Sequence, residues 1–386
     1  MTFLGYRRVD GRVGTRNYVG VLSTVVCANE VARGIASQVK GAVAFNHQQG
    51  CCQTPPDLAR VTRALVGLGS NPNLSAVLLV SLGCEGTDVD KVFKAIAATG
   101  KPVRVIGIQE EGGGAKTTAK GVLIAQQMAV DASRIKRVEC PSSDLVLGLK
   151  CGSSDTTSGL SANPALGVTV ERLVKEGGTA IMGEVTEFIG AEHLLARQCK
   201  SEAVAQQMLH LVDRMEQRVK ATGVDMRGGQ PTPGNIKGGL TTIEEKSLGA
   251  IAKAGRAIVQ AVYEYGEQPT EKGLVVMDSP GREPELLTGM AAAGANVIVF
   301  TTGRGAPQGF PFVPVIKLTG NEVTWKRMND HMDISVHGVM DGEESLIQAG
   351  NRVYEKVLET ASGEETKAEI SGYTQAMDIY VTGPVI

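Results

Sequence analysis

KRVECPSSDLVLGLKCGSSDTTSGLSAN, at residues 136–163, is the stretch that decides the fold of this chain. Its centre, residues 145–149, is an apolar run with the length of a buried strand, and Pro164 follows where a helix can begin. Between them lie Lys150, Cys151 and a cluster of Gly, Ser, Asp and Thr. A strand that leads an ammonium and a thiol into a loop of small residues is typical of an active-site loop in an open α/β sheet. The alternative is a polar turn beside a buried cysteine.

The first half of the chain repeats this arrangement at the ends of other apolar runs. Four such runs lead to Cys27, to His47 and Cys51, to Cys84 and to Glu110. The carboxyl ends of parallel strands share one edge of a sheet, so these groups would converge there. Chance scatter of the seven cysteines is the alternative, but imidazole and carboxylate groups at equivalent positions favour convergence.

The order of the predicted elements indicates an α/β protein. In the first half, helices alternate with strands near residues 18–26, 42–46, 76–82 and 103–108. This alternation is expected of a parallel sheet with right-handed crossovers, so the first half is predicted to be Rossmann-like. A chain of 386 residues is too long for one core of ordinary size. We therefore predict two α/β domains with mainly parallel sheets, residues 1–135 and 136–386, the second carrying much of the active site.

Composition argues against several classes of function. A formal net charge of −2 and an aromatic content of 4% give no reason to expect nucleic acid as a partner. No apolar run approaches the ~20 residues of a membrane span and no signal-peptide core follows Met1, so we expect a cytoplasmic protein that does not bind a membrane. The seven cysteines are then expected to be reduced thiols. The first strand is not followed by GxGxxG, which argues against an NAD-dependent oxidoreductase.

Thiol, imidazole and carboxylate groups together predict a metal centre. The candidate ligands are His47, Cys51, Cys84, Glu110 and Cys151. Thiolate and imidazole favour a transition metal such as Fe(II) or Zn(II). An iron–sulfur cluster is a second possibility, although the spacing matches no common cluster signature. For each cysteine alone, the alternative is a small buried apolar residue.

The second half supplies acids and a histidine after another predicted strand, residues 179–183. These residues are Glu184, Glu187, Glu192 and His193. The alternative is a helix start with solvated charges, but three acids and a histidine close behind a buried strand favour a site. The candidate catalytic residues of the whole chain are His47, Lys150, Glu187 and His193.

An anion site is predicted from FTTGRG, where Arg304 lies between two glycines at the end of a predicted strand. Its planar fork can bind a carboxylate or a sulfonate. The candidate substrate-binding residues are Arg16, Asn17, Ser153, Asp155, Asn163 and Arg304. An anion-binding arginine, metal ligands and acid–base groups together predict β-elimination from a 2-hydroxy acid. That reaction needs a base for the proton next to the carboxylate and cations to hold the enediolate.

Several stretches resemble the altronate/galactarate dehydratase family, including its sulfo-lyase branch. They are DGRVGTRNYVGVL, LGCE, KCGSSD, GAEHLL, PGNIKGGLTTIEEKSLGAIAK, FTTGRG and TGPVI. The resemblance implies Fe(2+), or another divalent metal, and a 2-oxo acid product. It also implies a small SAF-type module, which is fused ahead of this region in some members. Here the chain begins at the large domain, so we expect that module as a separate small (alpha) subunit in a hetero-oligomer.

Departures from the sugar-acid members bear on the substrate. In KCGSSD this chain has Ser153 at the position where the sugar-acid members are expected to have a second glycine. It also has Phe310 and Phe312 after FTTGRG. Two aromatic rings would shrink a pocket built for a six-carbon polyol. We therefore expect (2R)-sulfolactate as substrate, with pyruvate and sulfite as products. The alternatives are an altronate- or galactarate-type sugar acid, giving a 2-keto-3-deoxy acid, and a regulatory subunit without chemistry of its own. The acids and histidine at the strand ends favour an enzyme.

Overall fold

The computed structural model of this chain describes residues 1–375, 377–384 and 386. The strands are β1 (Thr2–Arg7), β2 (Val13–Gly14), β3 (Tyr18–Ser23), β4 (Ala42–Phe45), β5 (Leu74–Ser81), β6 (Val103–Gly107), β7 (Val138–Pro141), β8 (Val146–Gly152), β9 (Thr179–Met182), β10 (Val259–Tyr263), β11 (Gly273–Met277), β12 (Val297–Thr302), β13 (Val315–Thr319) and β14 (Ile334–Ser335).

The helices are α1 (Asn29–Ala36), α2 (Pro55–Ser70), α3 (Val89–Ala97), α4 (Gly114–Ser133), α5 (Asn163–Lys175), α6 (Glu192–Ala196), α7 (Glu202–Lys220), α8 (Met226–Gly229), α9 (Pro233–Lys237), α10 (Ile243–Ile251), α11 (Glu283–Ala292), α12 (Glu322–Arg327), α13 (Gly338–Asp341), α14 (Leu346–Ala361) and α15 (Lys367–Ile370). Short 3₁₀ turns cover Val26–Ala28, Ser142–Asp144, Val185–Glu187 and Ala252–Ala254, and a π-helical turn covers Ser158–Ala162.

The first half forms a four-stranded parallel sheet in the order β4-β3-β5-β6. Its strand β5, LSAVLLVS, is buried along its whole length because helices cover both faces. The predicted parallel α/β arrangement is confirmed. Counted along the chain, the order is 2-1-3-4, which is that of flavodoxin-like sheets rather than the 3-2-1-4 order of dinucleotide-binding sheets.

The second half forms a seven-stranded parallel sheet in the order β10-β11-β9-β8-β12-β13-β14. The strand predicted at residues 145–149 is confirmed as β8, and it lies in the middle of this sheet. It continues through Lys150 and Cys151 to Gly152, because Cys151 pairs in register with Thr301 of β12. The lysine and the thiol are therefore fixed by the sheet itself rather than by a loop.

A small antiparallel sheet, β2-β1-β7, ties the amino terminus to the start of the second half. It crosses the boundary between residues 1–135 and 136–386, so that division remains our proposal. Within the described part of the chain, none of the helices combines the length and apolarity that crossing a bilayer requires.

Helices α2 and α11 pack together between the two parallel sheets. One buried apolar cluster includes Leu65 and Leu68 from the first half together with Leu287 and Ala291 from the second. The helices approach so closely that a Cβ atom on Gly67 would lie 2.3 Å from the backbone oxygen of Ala292. The shared layer of helices therefore joins the two sheets through backbone contact.

We expect Gly67→Ala to destabilise the protein by about 1–3 kcal/mol, because the added methyl group must push α11 away from α2. Gly34→Ala is the matched control, since Gly34 is also helical but its Cβ would make only ordinary contact, 3.5 Å from Thr118 Cγ2. That control should be neutral, or stabilising by about 0.5–1 kcal/mol through helix propensity. Urea unfolding of both variants measures the difference. Equal stabilities for the two would contradict the close packing.

Candidate active site

The candidate active site lies at the carboxyl ends of β8 and β9, in the middle of the larger sheet. Lys150 and Cys151 lie just before Gly152, the last residue of β8, and Glu184 follows β9 after one glycine. Glu187 lies in the 3₁₀ turn after β9, and Lys253 lies in the 3₁₀ turn that continues α10. All five residues are buried. The carboxyl ends of β8 and β9 bring four of them together, as expected for parallel strands, and Lys253 joins them from the turn after α10.

Glu184 adopts a left-handed backbone conformation, with φ of 67°. Such a φ is uncommon outside glycine and persists where neighbouring bonds hold it. Here the Glu184 N–H donates to Ser279 Oγ at 2.9 Å, and the Val185 N–H donates to the Ser279 carbonyl at 3.1 Å. The loop after β11 thus turns the Glu184 carboxylate towards the end of β8.

Two buried ammonium groups share the Glu184 carboxylate. Lys150 Nζ donates to Glu184 Oε1 at 2.5 Å and to the Gly281 carbonyl at 2.7 Å. Lys253 Nζ donates to Glu184 Oε2 at 2.6 Å, and the Cys151 N–H donates to the same oxygen at 2.9 Å. Burial opposes the charged amine, but the negative charges of Glu184, Glu283 and Glu187 together outweigh it and raise the pKa of Lys150. Buried charges are tolerated when paired and hydrogen-bonded in this way.

Cys151 and Glu187 form a second pair beside the first. The Cys151 thiol donates to Glu187 Oε2 at 2.7 Å. Burial, together with the carboxylates of Glu184 and Glu187, raises the pKa of this thiol well above its usual range, so the thiol keeps its proton. Burial disfavours the charged form of Glu187, yet the ammonium groups of Lys253, Lys246 and Lys150 together outweigh burial and hold the pKa of Glu187 below its usual range. The pair is thus a neutral thiol hydrogen-bonded to an ionised carboxylate.

Cys151, Glu184 and Glu187 form a group of three potential metal-ligating side chains. One ligand atom from each lies within 4.8 Å of the other two. Thiolate and carboxylate donors of this kind suit a divalent transition metal. Lys253 Nζ, however, lies 3.0 Å from Cys151 Sγ, 2.6 Å from Glu184 Oε2 and 3.4 Å from Glu187 Oε2. The ammonium holds the position between the three ligand atoms, so a metal ion does not fit there in this arrangement.

A cavity of about 460 Å³ opens beside this group. Its lining includes Lys150, Cys151, Glu187, Lys246 and Arg304. The volume suits a small organic ligand. Cationic side chains and an ionised carboxylate therefore face the same space.

Arg304 and Ser153 also line the cavity. Arg304 Nη1 donates to the Gly234 carbonyl at 2.8 Å, and the Arg304 N–H donates to the Ser153 carbonyl at 3.0 Å. Thr232 and Asn235 line the cavity from the same side. The Gly- and Pro-rich segment around α9 is thus part of the wall of the site.

The described lining of the cavity does not include Asp155 or Asn163, and both side chains are hydrogen-bonded within the protein. Asp155 Oδ2 accepts from Asn321 Nδ2 at 2.7 Å. Asn163 Oδ1 accepts from Thr301 Oγ1 at 2.6 Å, and its Nδ2 donates to the Gly249 carbonyl at 2.8 Å. These contacts hold the loop after β8 and the start of α5 against their neighbours, and a direct contact of either side chain with substrate stays a prediction.

The prediction that Phe310 and Phe312 shrink the pocket is wrong if it means that their rings line the cavity. Both rings are 1% exposed and belong to the apolar cluster between the sheets. Their ring centroids are 5.0 Å apart, and Phe310 also lies 5.9 Å from Phe45. The described lining of the cavity includes neither of them, because apolar packing draws the rings into the core.

His47 is buried at the edge of the smaller sheet, where both ring nitrogens have protein partners. Nε2 lies 2.9 Å from the Ser23 carbonyl, and Nδ1 accepts from the Gln49 N–H at 3.1 Å. Because a carbonyl only accepts and an N–H only donates, these partners fix a neutral imidazole that carries its hydrogen on Nε2. Burial lowers the pKa of His47 to about 4. In this arrangement neither nitrogen is free for a metal ion or for proton transfer.

The other metal candidates of the first half lie on the surface of the same edge. Cys84 is exposed and accepts a hydrogen bond from Gln109 Nε2 at 3.5 Å, and Glu110 is exposed. Cys51 Sγ lies 3.5 Å from Cys52 Sγ. Among residues 1–375, 377–384 and 386, the metal-ligating group described above contains Cys151 but none of these three. Their role as metal ligands stays a prediction, and the fold does not bring them into that group.

Arg16, Asn17 and His193 lie away from the cavity. Arg16 precedes β3, at the amino end of the sheet, where it forms two hydrogen bonds with Glu369, of 2.7 and 2.9 Å. Asn17 Nδ2 donates to the Ala132 carbonyl at 2.8 Å. His193 is exposed on α6. Arg16 and Asn17 therefore tie the amino end of β3 to α15 and α4, and the structure brings none of the three to the predicted site.

Lys246 and Lys253 are the site residues that the sequence analysis missed. Both belong to the stretch TTIEEKSLGAIAK, residues 241–253, and their spacing of seven places them on one face of a helix. A lysine inside the apolar run around Lys253 is the signal that could have been read. A lysine is rarely buried unless it is paired, so such a position favours an ion pair in the core.

Comparison with known proteins gives matches along the whole chain. Residues 5–133 match the family described as D-galactarate dehydratase/Altronate hydrolase, second domain, and residues 142–383 match D-galactarate/Altronate dehydratase, C-terminal. The (2R)-sulfolactate sulfo-lyase subunit beta of Chromohalobacter salexigens is 42% identical over 97% of this chain and 96% of its own length. Galactarate dehydratase (L-threo-forming) and altronate dehydratase of Escherichia coli are each 33% identical, over 100% and 96% of this chain and 77% and 76% of their own lengths.

The buried imidazole gives stability a defined pH dependence. The unfolded chain binds a proton at His47 near its ordinary pKa of 6.5, whereas the folded chain does so only near pH 4. Stability contributed by the neutral ring is therefore present above pH 6.5 and is lost as the pH falls towards 4, by about 3 kcal/mol in total. His47→Gln should lack this component. Urea unfolding across that pH range measures it.

The control is His210→Gln, which replaces a histidine exposed on α7 and should keep the wild-type profile. Parallel pH profiles for the wild type and His47→Gln between pH 6.5 and 4 would contradict the neutral buried ring.

Proposed function

The chain belongs to the D-galactarate/altronate dehydratase family, and from this premise we propose that it is the large, catalytic subunit of a lyase that acts on a small 2-hydroxy acid. The proposed reaction is β-elimination from (2R)-sulfolactate, giving pyruvate and sulfite. The observation that carries the proposal is the cavity at the end of β8, where Lys246 and Arg304 face the buried pair of Cys151 and Glu187. A relative named for sulfolactate that matches 97% of the chain at 42% identity supports this substrate.

The two anionic groups of sulfolactate, a carboxylate and a sulfonate, would pair with cationic side chains that line the cavity. Arg304 can bind a carboxylate or a sulfonate through its planar fork, and the Lys246 ammonium supplies a second positive charge. Lys246 Nζ also lies 3.9 Å from Glu187 Oε1, so the second anion would be held close to the proposed base. Substrate orientation is thus assigned to side chains on the rim of the cavity.

Glu187 is the proposed base. Its carboxylate lines the cavity and is held ionised, and the Cys151 thiol fixes one of its oxygens. It would take the proton from the carbon that bears the hydroxyl and the carboxylate. The electron pair of that C–H bond forms a C=C bond, and sulfite leaves with the electron pair of the C–S bond. The resulting enolpyruvate takes up a proton on carbon to give pyruvate.

Lys150 is the proposed donor to the enediolate. Its ammonium reaches the cavity from β8 and is anchored by Glu184 and by the Gly281 carbonyl. A cation fixed before the reaction stabilises the developing negative charge without reorganisation. Sulfite is a better leaving group than hydroxide, so this elimination needs less help from a general acid than a dehydration does.

A sugar-acid dehydratase is the second candidate function. The galactarate and altronate dehydratases match nearly the whole chain at 33% identity, and the cavity of about 460 Å³ is large enough for a six-carbon acid. The same base and cations would then expel hydroxide and leave a 2-keto-3-deoxy acid.

A separate small subunit is part of the proposal. The sulfolactate relative is named as a subunit beta, and the chain aligns with 77% and 76% of the two longer dehydratases. The proposed partner is a small SAF-type alpha subunit, in a cytoplasmic hetero-oligomer. An Fe(2+)-type divalent ion is also proposed to be required for activity, although none of the proposed proton-transfer or elimination steps is assigned to it.

The product assay tests the function. The chain, with its candidate small subunit and Fe(2+) under anoxic conditions, should release pyruvate and sulfite from (2R)-sulfolactate in equal amounts. The chain alone should turn over poorly, and a chelator should abolish activity. Conversion of altronate or galactarate to a keto-deoxy acid, with no sulfite from sulfolactate, would replace the first function by the second. Full activity of the lone chain would remove the small subunit from the proposal.

Arg304→Lys should lower kcat/KM for sulfolactate by roughly 10- to 150-fold, because a point charge cannot reproduce the planar fork and a charge-assisted hydrogen bond contributes about 1.5–3 kcal/mol. Arg256→Lys is the matched control, since Arg256 is 90% exposed and pairs with Glu171 on the surface. That variant should turn over like the wild type. Wild-type kinetics for Arg304→Lys would exclude the guanidinium from substrate binding.

A further inference from the structure

Lys253 reaches the centre of the Cys151, Glu184 and Glu187 group from a turn that is tightly seated. The turn Ala252–Ala254 packs on α5, where a Cβ atom on Gly167 would lie 2.5 Å from the Ala252 oxygen and 2.9 Å from Gly255 Cα. Lys253 is fully buried. The backbone that carries the Lys253 side chain is therefore held firmly against α5.

The charges of the buried group are already balanced. Two ammonium groups, of Lys150 and Lys253, face two carboxylates, of Glu184 and Glu187, and each of the four side chains is at most 7% exposed. A divalent ion added to this set would leave an excess of positive charge in the interior. Such uncompensated burial is strongly unfavourable.

We infer that the Lys253 ammonium is the resident cation of the Cys151, Glu184 and Glu187 group, so that this group does not hold a divalent metal ion. Lys253 is then a positioning residue, because it contacts the thiol and both carboxylates without lining the cavity. Any metal ion that activity requires is bound elsewhere. The inference concerns the cation at the site and holds for either candidate substrate.

Removing this ammonium should convert the group into a metal site. Lys253→Met would leave a thiol and two carboxylates around an empty position with a net negative charge, and such donors bind soft divalent ions once the thiol gives up its proton. Lys150→Met is the matched control. It removes an ammonium from the same buried group, but Lys150 Nζ hydrogen-bonds Glu184 Oε1 and the Gly281 carbonyl rather than Cys151 or Glu187.

Co²⁺ is the probe, because a thiolate bound to cobalt gives a charge-transfer absorption in the near ultraviolet. The full-length chain is stripped with a chelator and titrated with Co²⁺. Each protein is compared with its own Cys151→Ser counterpart, so that only absorption that depends on Cys151 is counted and the other six cysteines do not contribute. Lys253→Met should gain this absorption with one equivalent of Co²⁺, and the wild type and Lys150→Met should show none.

A Cys151-dependent cobalt band in the wild type would overturn the inference, and so would a folded Lys253→Met protein without one. If Lys253→Met does not fold, as judged by circular dichroism, the comparison of the wild type with Cys151→Ser decides by itself. The readout is a metal spectrum rather than turnover. A failure of sulfite release would therefore remove the proposed substrate and leave this inference standing.

Discussion

The carboxylate of Glu184, held between two buried ammonium groups, is the interaction on which the site depends. Lys150 and Lys253 donate to its two oxygens from different parts of the chain, at 2.5 and 2.6 Å. Removing one partner of a buried ion pair costs about 3–5 kcal/mol, because the other charge is left without compensation. The left-handed turn at Glu184, together with the hydrogen bonds that Ser279 accepts from the Glu184 and Val185 N–H groups, aims this carboxylate, and the ion pairing offsets the local backbone strain.

The central position of β8 makes this arrangement possible. A strand with paired neighbours on both sides cannot shift its register, so Lys150 and Cys151 are fixed relative to Thr301 of β12. The charges of Lys150, Glu184 and Lys253 are buried there, and the low dielectric of the interior strengthens their pairing. The helices α2 and α11, in backbone contact at Gly67, hold the larger sheet against the smaller one. The rigidity of the site therefore comes from the layers around it.

The group of Cys151, Glu184 and Glu187 has the donor atoms of a metal site, but the cation in contact with them is the ammonium of Lys253. Three potential ligand atoms lie within 4.8 Å of one another, as they would around a bound ion, but here an ammonium makes contact with all three. A lysine in this position supplies a fixed positive charge that does not exchange with solvent. This explains how a thiol and an ionised carboxylate can be kept together in the interior beside a cavity that is suited to an anionic substrate.

The sequence by itself determined the alternation of strands and helices, the buried strand at β8 and the convergence of side chains at one edge of a sheet, because periodicity and turn residues act locally. It therefore predicted Lys150, Cys151, Glu187 and Arg304 as site residues. Only the tertiary structure decided which groups meet. Lys253 lies 102 residues from Cys151 along the chain, and nothing local links the two. In the folded protein the polar groups of His47 and Arg16 are already hydrogen-bonded to other parts of the chain. The sequence shows that a side chain is able to bind a ligand, but it does not show whether the fold already provides that side chain with partners.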